Sequence, residues 1–129
     1  MDFLFIIVII FILFVYLLST PKTKGAIGEL RIAGKLNNLQ YEEYRVFNDV
    51  LISTGRGSTQ IDHLVISIYG IFVIETKNYS GWIHGGENSE YWTQTIYKEK
   101  TKFRNPIKQN LTHIYALKEI LKDFGQIAY

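Results

Sequence analysis

The sequence predicts an α/β domain, a central sheet with helices packed on each side, standing behind one N-terminal apolar helix. Three observations carry that expectation. Residues 60–77, QIDHLVISIYGIFVIETK, hold two runs of β-branched and aromatic residues around Tyr69-Gly70, the pattern of a hairpin with a tight turn. Both faces of this hairpin are apolar, with Leu64, Ile66, Ile68, Ile71 and Val73 on one and Ile61, Val65, Phe72 and Ile74 on the other, so both call for cover. Farther on, Ile107, Leu111, Ile114, Leu117, Leu121 and Phe124 recur at helical spacing.

A length of 129 residues allows one small domain and a modest core. The net charge of +2 gives weak support for a nucleic-acid partner and none for an acidic substrate class. Cysteine is absent, which excludes disulfides and thiolate metal sites.

Residues 1–20 form an apolar run that would reach about 30 Å as a helix, the thickness of a bilayer core. Its start carries Asp2 instead of a basic cluster, and no small-x-small cleavage site follows, so an uncleaved single-pass anchor is expected over a signal peptide. Lys22, Lys24 and Arg31 follow closely and place the domain, residues 21–129, on the cytoplasmic side of the cell membrane. Pro21 marks the exit from the anchor. Residues 25–38 read as a helix whose glycines permit close packing, with Glu29 beside its apolar face.

A strand is expected within residues 41–52 and a flexible connector over 53–59; the glycines around Arg56 lack the Lys-Ser/Thr and the helix of a phosphate loop. A two-residue turn at Tyr69-Gly70 sets Ile68 opposite Ile71, Leu64 opposite Glu75 and Asp62 opposite Lys77. Short strands follow at 82–84 and 91–97. Residues 98–108 then read as a solvated basic loop with five cations against one Glu. Asn105-Pro106 is a helix start, Asn as N-cap and Pro at the first position, and Gly125 suits the far end. Gln109 and His113 lie four apart on a stripe that faces either the hairpin carboxylates or the edge of the core. Residues 126–129 resemble the start of another strand.

Strand alternation brings Asp62, Glu75 and Lys77 to one face. Two carboxylates so close repel unless a cation lies between them, and oxygen ligands of this kind suit Mg²⁺ or Mn²⁺. Asp62 and Glu75, with the Thr76 carbonyl and Glu29 as further donors, are the candidate metal ligands. Lys77 is placed to orient water or to neutralise charge on a phosphate, which points to phosphodiester hydrolysis. An Asp62–Lys77 salt bridge with an idle Glu75 is the plain structural alternative. His63 falls on the opposite face from Asp62 and reads as a packing or hydrogen-bonding histidine.

The set Gly25-x-x-Gly28-Glu29, Gln60-Ile61-Asp62-His63, Glu75-Thr76-Lys77, Gly81-Trp82-Ile83 and Asn105-Pro106-x-x-Gln109 resembles the nuclease-related domain (NERD) family of the PD-(D/E)xK superfamily. The resemblance covers residues 23–129. It implies a restriction-endonuclease-like core with a central mixed sheet flanked by helices. It also implies metal roles for Glu29, Asp62 and Glu75, a catalytic role for Lys77 and an active-site role for Gln109. The final strand of that fold is missing, and Ile61 stands where a proline often precedes the aspartate. The resulting expectation is a membrane-anchored nuclease acting on DNA with Mg²⁺ or Mn²⁺. Lys98, Lys100, Lys102, Arg104, Lys108, Gln109 and His113 are the candidate nucleic-acid contacts. The rival expectation is a non-catalytic nucleic-acid-binding or membrane-tethered interaction domain on the same fold.

Overall fold

The computed structural model describes residues 3–39 and 42–122. The proposed cap Gly125, Phe124 and the strand start at 126–129 lie outside the described residues.

The apolar run folds as α1 (Phe3–Leu18), a helix of 16 residues, about 24 Å long. It stops short of the expected span because hydroxyls take over its last carbonyls: Ser19 Oγ donates to Val15 O at 2.8 Å and Thr23 Oγ1 to Leu17 O at 2.8 Å. Thr20 then caps a new helix, α2 (Pro21–Leu36), with Pro21 in its first turn. Pro21 therefore opens a helix where the sequence suggested only an exit. Among the described residues no single helix is long and apolar enough to cross a membrane; α1 and α2 reach that length only together, across a 66° bend.

Among the described residues the strands form two three-stranded antiparallel sheets in place of the expected mixed one. The first contains β1 (Tyr44–Thr54), β2 (Gly57–Ser67) and β3 (Gly70–Ile74) in that order. The second contains β4 (Trp82–His84), β5 (Tyr91–Ile96) and β6 (Glu99–Arg104), again in order. The cause is local: tight turns at Gly55-Arg56, Ile68-Tyr69 and Tyr97-Lys98 fold each strand back on its neighbour. A parallel pairing would need a crossover connection of about a dozen residues or more, which none of these turns provides.

Two sequence expectations change accordingly. The connector expected over 53–59 is a tight hairpin, with Thr54 paired to Gly57. The basic stretch 98–108 is not a loop, since its first half is strand β6.

Helix α3 (Pro106–Leu121) starts at the Asn105 cap as the sequence indicates, Asn105 Oδ1 accepting from Ile107 N at 2.9 Å. It lies against all three strands of the first sheet. Ala116 and Leu117 pack on a core of Ile52, Ile61 and Leu64, with Val50, Ile71 and Val73 around it. Cover on the other face is partial: His63 and Val65 are buried there, whereas Leu51 and Phe72 stay exposed. At the far end of the helix Glu119 meets Arg56 of the β1–β2 turn at 2.8 Å.

Candidate active site

The carboxylates meet at the end of the β2–β3 hairpin. The ladder pairs Ile66 with Ile71 and His63 with Ile74, so one further step sets Asp62 opposite Glu75. The expected pairings of Asp62 with Lys77 and Leu64 with Glu75 are displaced by two residues, because the turn is Ile68-Tyr69. Ser67 closes that turn: its Oγ accepts from Tyr69 N at 3.1 Å and donates to Gly70 O at 3.3 Å. A slip of two preserves side-chain faces, so Asp62 and Glu75 still share one. Thr76 N donates to Asp62 Oδ2 at 2.7 Å and fixes the two chain segments together.

A local break in the strands aims Asp62. Ile61 and Leu64 have opposite parity yet sit in one core cluster, so β2 switches face between them. Opposite this switch Asp49 holds φ at 54°. The ladder skips from Asn48–His63 to Val50–Ile61 with unchanged register, leaving Asp49 and Asp62 facing each other in the gap. Gln60 Nε2 donates to Asp49 Oδ1 at 3.1 Å.

Glu75 is held from two sides. Lys77 Nζ contacts Oε1, and His113 Nε2 lies 2.9 Å from Oε2, with both His113 and Glu75 side chains buried. A carboxylate only accepts, so Nε2–H donates. In the neutral ring Nδ1 then accepts the Thr59 hydroxyl at 2.7 Å. The chain Thr59–His113–Glu75 thus orients the acid from behind.

Glu29 arrives through close packing of α2 on the segment after Lys77. A Cβ at Gly28 would lie 2.6 Å from Asn78 Cβ, so only glycine permits this approach, and Asn78 Nδ2 donates to Lys24 O at 2.6 Å. The Glu29 pKa is raised above its ordinary value, first by burial and next by the charges of Asp62 and Asp49; Glu75 adds to this and His63 opposes it. Four carboxylates therefore share one field. Among the described residues no three Asp, Glu, His or Cys side chains yet stand close enough to share an ion. His63 is 2% exposed, and its Nδ1 lies 2.8 Å from Asn48 Oδ1 while Nε2 is buried without a partner, a hydrogen-bonding histidine as the sequence suggested.

This arrangement comes with a matching sequence relationship. The family model for the nuclease-related domain matches residues 24–128. The chain belongs to the NERD family. Its NERD region is 45% identical over 103 residues to an uncharacterised protein of Bacillus anthracis. That alignment covers 79% of this chain and 49% of the relative, so the chain spans about half the relative's length. No solved structure matches the NERD chain.

The remaining sequence candidates of this NERD domain fall into three groups. Gln109 is half-buried one helical turn before His113, hence on the side of α3 that faces Glu75. His113 is buried behind Glu75, so it orients the acid and is not a surface contact for a nucleic acid. Lys108 is paired with Glu90 at 3.0 Å, whereas Lys98, Lys100, Lys102 and Arg104 are exposed along β6 and the turn before it.

Sequence reasoning missed Asp49, the Thr59–His113 support and the role of Asn105 beyond capping. Asn105 is fully buried, and its Nδ2 reaches Glu87 O and Ser89 O, each at 2.7 Å, tying the β4–β5 loop to α3. A polar residue at the buried start of a helix is the signal that could have revealed it.

Proposed function

We propose that this NERD domain is a membrane-anchored, metal-dependent nuclease that hydrolyses phosphodiester bonds in DNA. The observation that supports it most is the convergence of Asp62, Glu75 and Lys77 at one end of the first sheet, with Glu29 within the field of both acids. The donor set suits a hard divalent cation: all the donors are oxygens, and the Glu29 pKa is raised first by burial and then by neighbouring acid charges that a cation would relieve.

Glu29, Asp62 and Glu75 would hold Mg²⁺ or Mn²⁺. When bound, such an ion acidifies a coordinated water and polarises a phosphoryl oxygen. Lys77 supplies positive charge beside Glu75, where a phosphate gaining charge would need it. His113 and Thr59 keep Glu75 in place, and Gln109, one turn before His113 on α3, would help position the scissile group. The anchoring part of the reading rests on α1, whose apolar side chains are exposed all round and carry no charge. The cytoplasmic placement rests on Lys22, Lys24 and Arg31.

The test is cleavage by the full chain in nonionic detergent, with single-stranded and duplex DNA and RNA and with Mg²⁺, Mn²⁺ or EDTA. Asp62→Ala and Lys77→Ala run beside the native chain. Metal-dependent cleavage lost in both variants supports the nuclease. Equal turnover in the variants, or binding without cleavage on every substrate, favours the second reading, a non-catalytic nucleic-acid-binding domain. That reading has one specific observation behind it: both Glu75 oxygens are already engaged, by Lys77 and His113.

A further inference from the structure

We infer that one face of the second sheet is a platform for single-stranded nucleic acid, with bases stacking along β4 and phosphates running along β6. Directly paired residues share a face, so Trp82, Thr95 and Lys100 form one row and His84, Thr93 and Lys102 the next. Tyr91 and Arg104 form a third. Read down the strands, the same face carries aromatic rings on the β4 edge, hydroxyls and Tyr91 on the central strand, and cations on the β6 edge. No acidic residue lies in these rows. Successive cations on β6 are about 6.7 Å apart, a spacing comparable to the step between phosphates of an extended strand.

The aromatic groups are available. Trp82 is 74% exposed and Tyr91 58% exposed. The opposite face is where the sheet's own rings pack, Tyr79 and Trp92 against Phe103 at 4.4 and 6.4 Å. At the tip of the β5–β6 hairpin Tyr97 holds φ at 54° and is 99% exposed. A left-handed turn position favours Gly or Asn, and a large ring kept there against that preference and out in solvent serves a contact better than it serves the fold. Among the described residues no helix covers this sheet as α3 covers the first.

Charge complementarity and flat rings suit a single strand, whose bases are free to stack, better than a duplex, whose bases are not. A lipid surface carrying anionic headgroups shares the attraction to cations. The separation of rings and cations into parallel rows favours a polymer lying along the strands instead. The inference takes its ligand class from the nuclease reading but concerns binding alone, so it is tested without divalent metal.

The full chain in nonionic detergent with EDTA is titrated with a labelled single strand and with the matching duplex, following anisotropy and tryptophan emission. The single strand is expected to bind more tightly and to quench emission. Trp82→Ala is expected to weaken binding by about tenfold and remove most of the quenching. Lys100→Gln and Lys102→Gln each flatten the dependence of log affinity on log salt by about 0.7. Tyr97→Gly raises the melting temperature while weakening binding, a combination that loss of folding cannot produce. Tighter binding of the duplex, unchanged affinity in Trp82→Ala and the lysine variants, or quenching by anionic vesicles but not by the oligonucleotide would overturn the inference. Because no cleavage is read, a catalytically dead chain that binds leaves it standing, and a cleaving chain whose platform variants bind normally sinks it alone.

Discussion

The two sheets share one topology, three antiparallel strands in sequence order, yet they carry opposite chemistry. The first is roofed by α3, and at its end Asp62 and Glu75 share a field with Glu29, which α2 brings in and whose pKa is raised by burial and by those charges. The second lies open, and its lysines remain solvated, where several like charges on one strand cost little. Cover by a helix is what separates them. A roof buries Glu75 against His113, and its absence lets a strand dense in Lys and Arg persist as strand.

The sharpest way to break this comparison is to exchange the phenotypes. Asp62→Ala and Lys77→Ala are expected to lower metal-dependent cleavage by about 10³-fold while leaving single-strand affinity near native. Lys100→Gln combined with Lys102→Gln is expected to weaken binding while the cleavage rate at saturating substrate stays within a few-fold. Single-turnover kinetics beside anisotropy separate the two. Loss of both properties in either set would mean that the sheets act as one surface.

The joint between them is Asn105, which caps α3 and holds the β4–β5 loop through Glu87 O and Ser89 O. Asn105→Ala removes the cap and strands buried carbonyls, and is expected to cost about 2–4 kcal/mol. Urea unfolding followed by tryptophan emission, which reports on the second sheet, should then precede the loss of far-ultraviolet signal. Coincident transitions would show that the second sheet does not depend on this joint. Gly28→Ala acts on the other side of the site, where the added Cβ meets Asn78, and is expected to cost about 1–3 kcal/mol by pushing α2 off the segment that follows Lys77. A fully stable Gly28→Ala protein would show that α2 shifts without strain.

How much of this was legible in the sequence depends on the range of the interaction. The hairpin faces from Leu64 onward, the Asn105-Pro106 start of α3 and the convergence of Asp62 with Glu75 follow from period and turn chemistry, and they survive a wrong turn position because a slip of two keeps the faces. Ile61, by contrast, joins the Leu64 core through a face switch that alternation does not foresee. Strand β6 was hidden because its charge density outweighed the alternation of Lys100, Lys102 and Arg104 with Thr101 and Phe103. Asp49 was hidden because nothing local marks a strand residue that takes a positive φ opposite another acid. His113 supports Glu75 only after α3 docks, a contact 38 residues away along the chain. The early end of α1 depended on hydroxyls reaching back to its carbonyls, which an apolar count does not register.

The smallest expected effects probe the charge field itself. Because the folded chain holds the Glu29 proton to a higher pH than the unfolded chain, it binds more protons between those two pKa values. Stability without metal should therefore fall as pH rises from the unfolded pKa through the folded one, and level off above it. Glu29→Gln removes that decline, and Mg²⁺ should remove it by taking the proton's place. Urea midpoints across that range, with Mg²⁺ and with EDTA, read both effects, and a decline that persists in Glu29→Gln would belong to another carboxyl. Asp62→Asn and Asp49→Asn each delete one charge, and Asn tolerates the left-handed backbone at position 49. Both should lower the Glu29 pKa measured by carboxyl NMR, Asp62→Asn more than Asp49→Asn, since Asp62 is the stronger of the two influences. The reverse order would place Asp49 at the centre of the acid cluster and Asp62 at its edge.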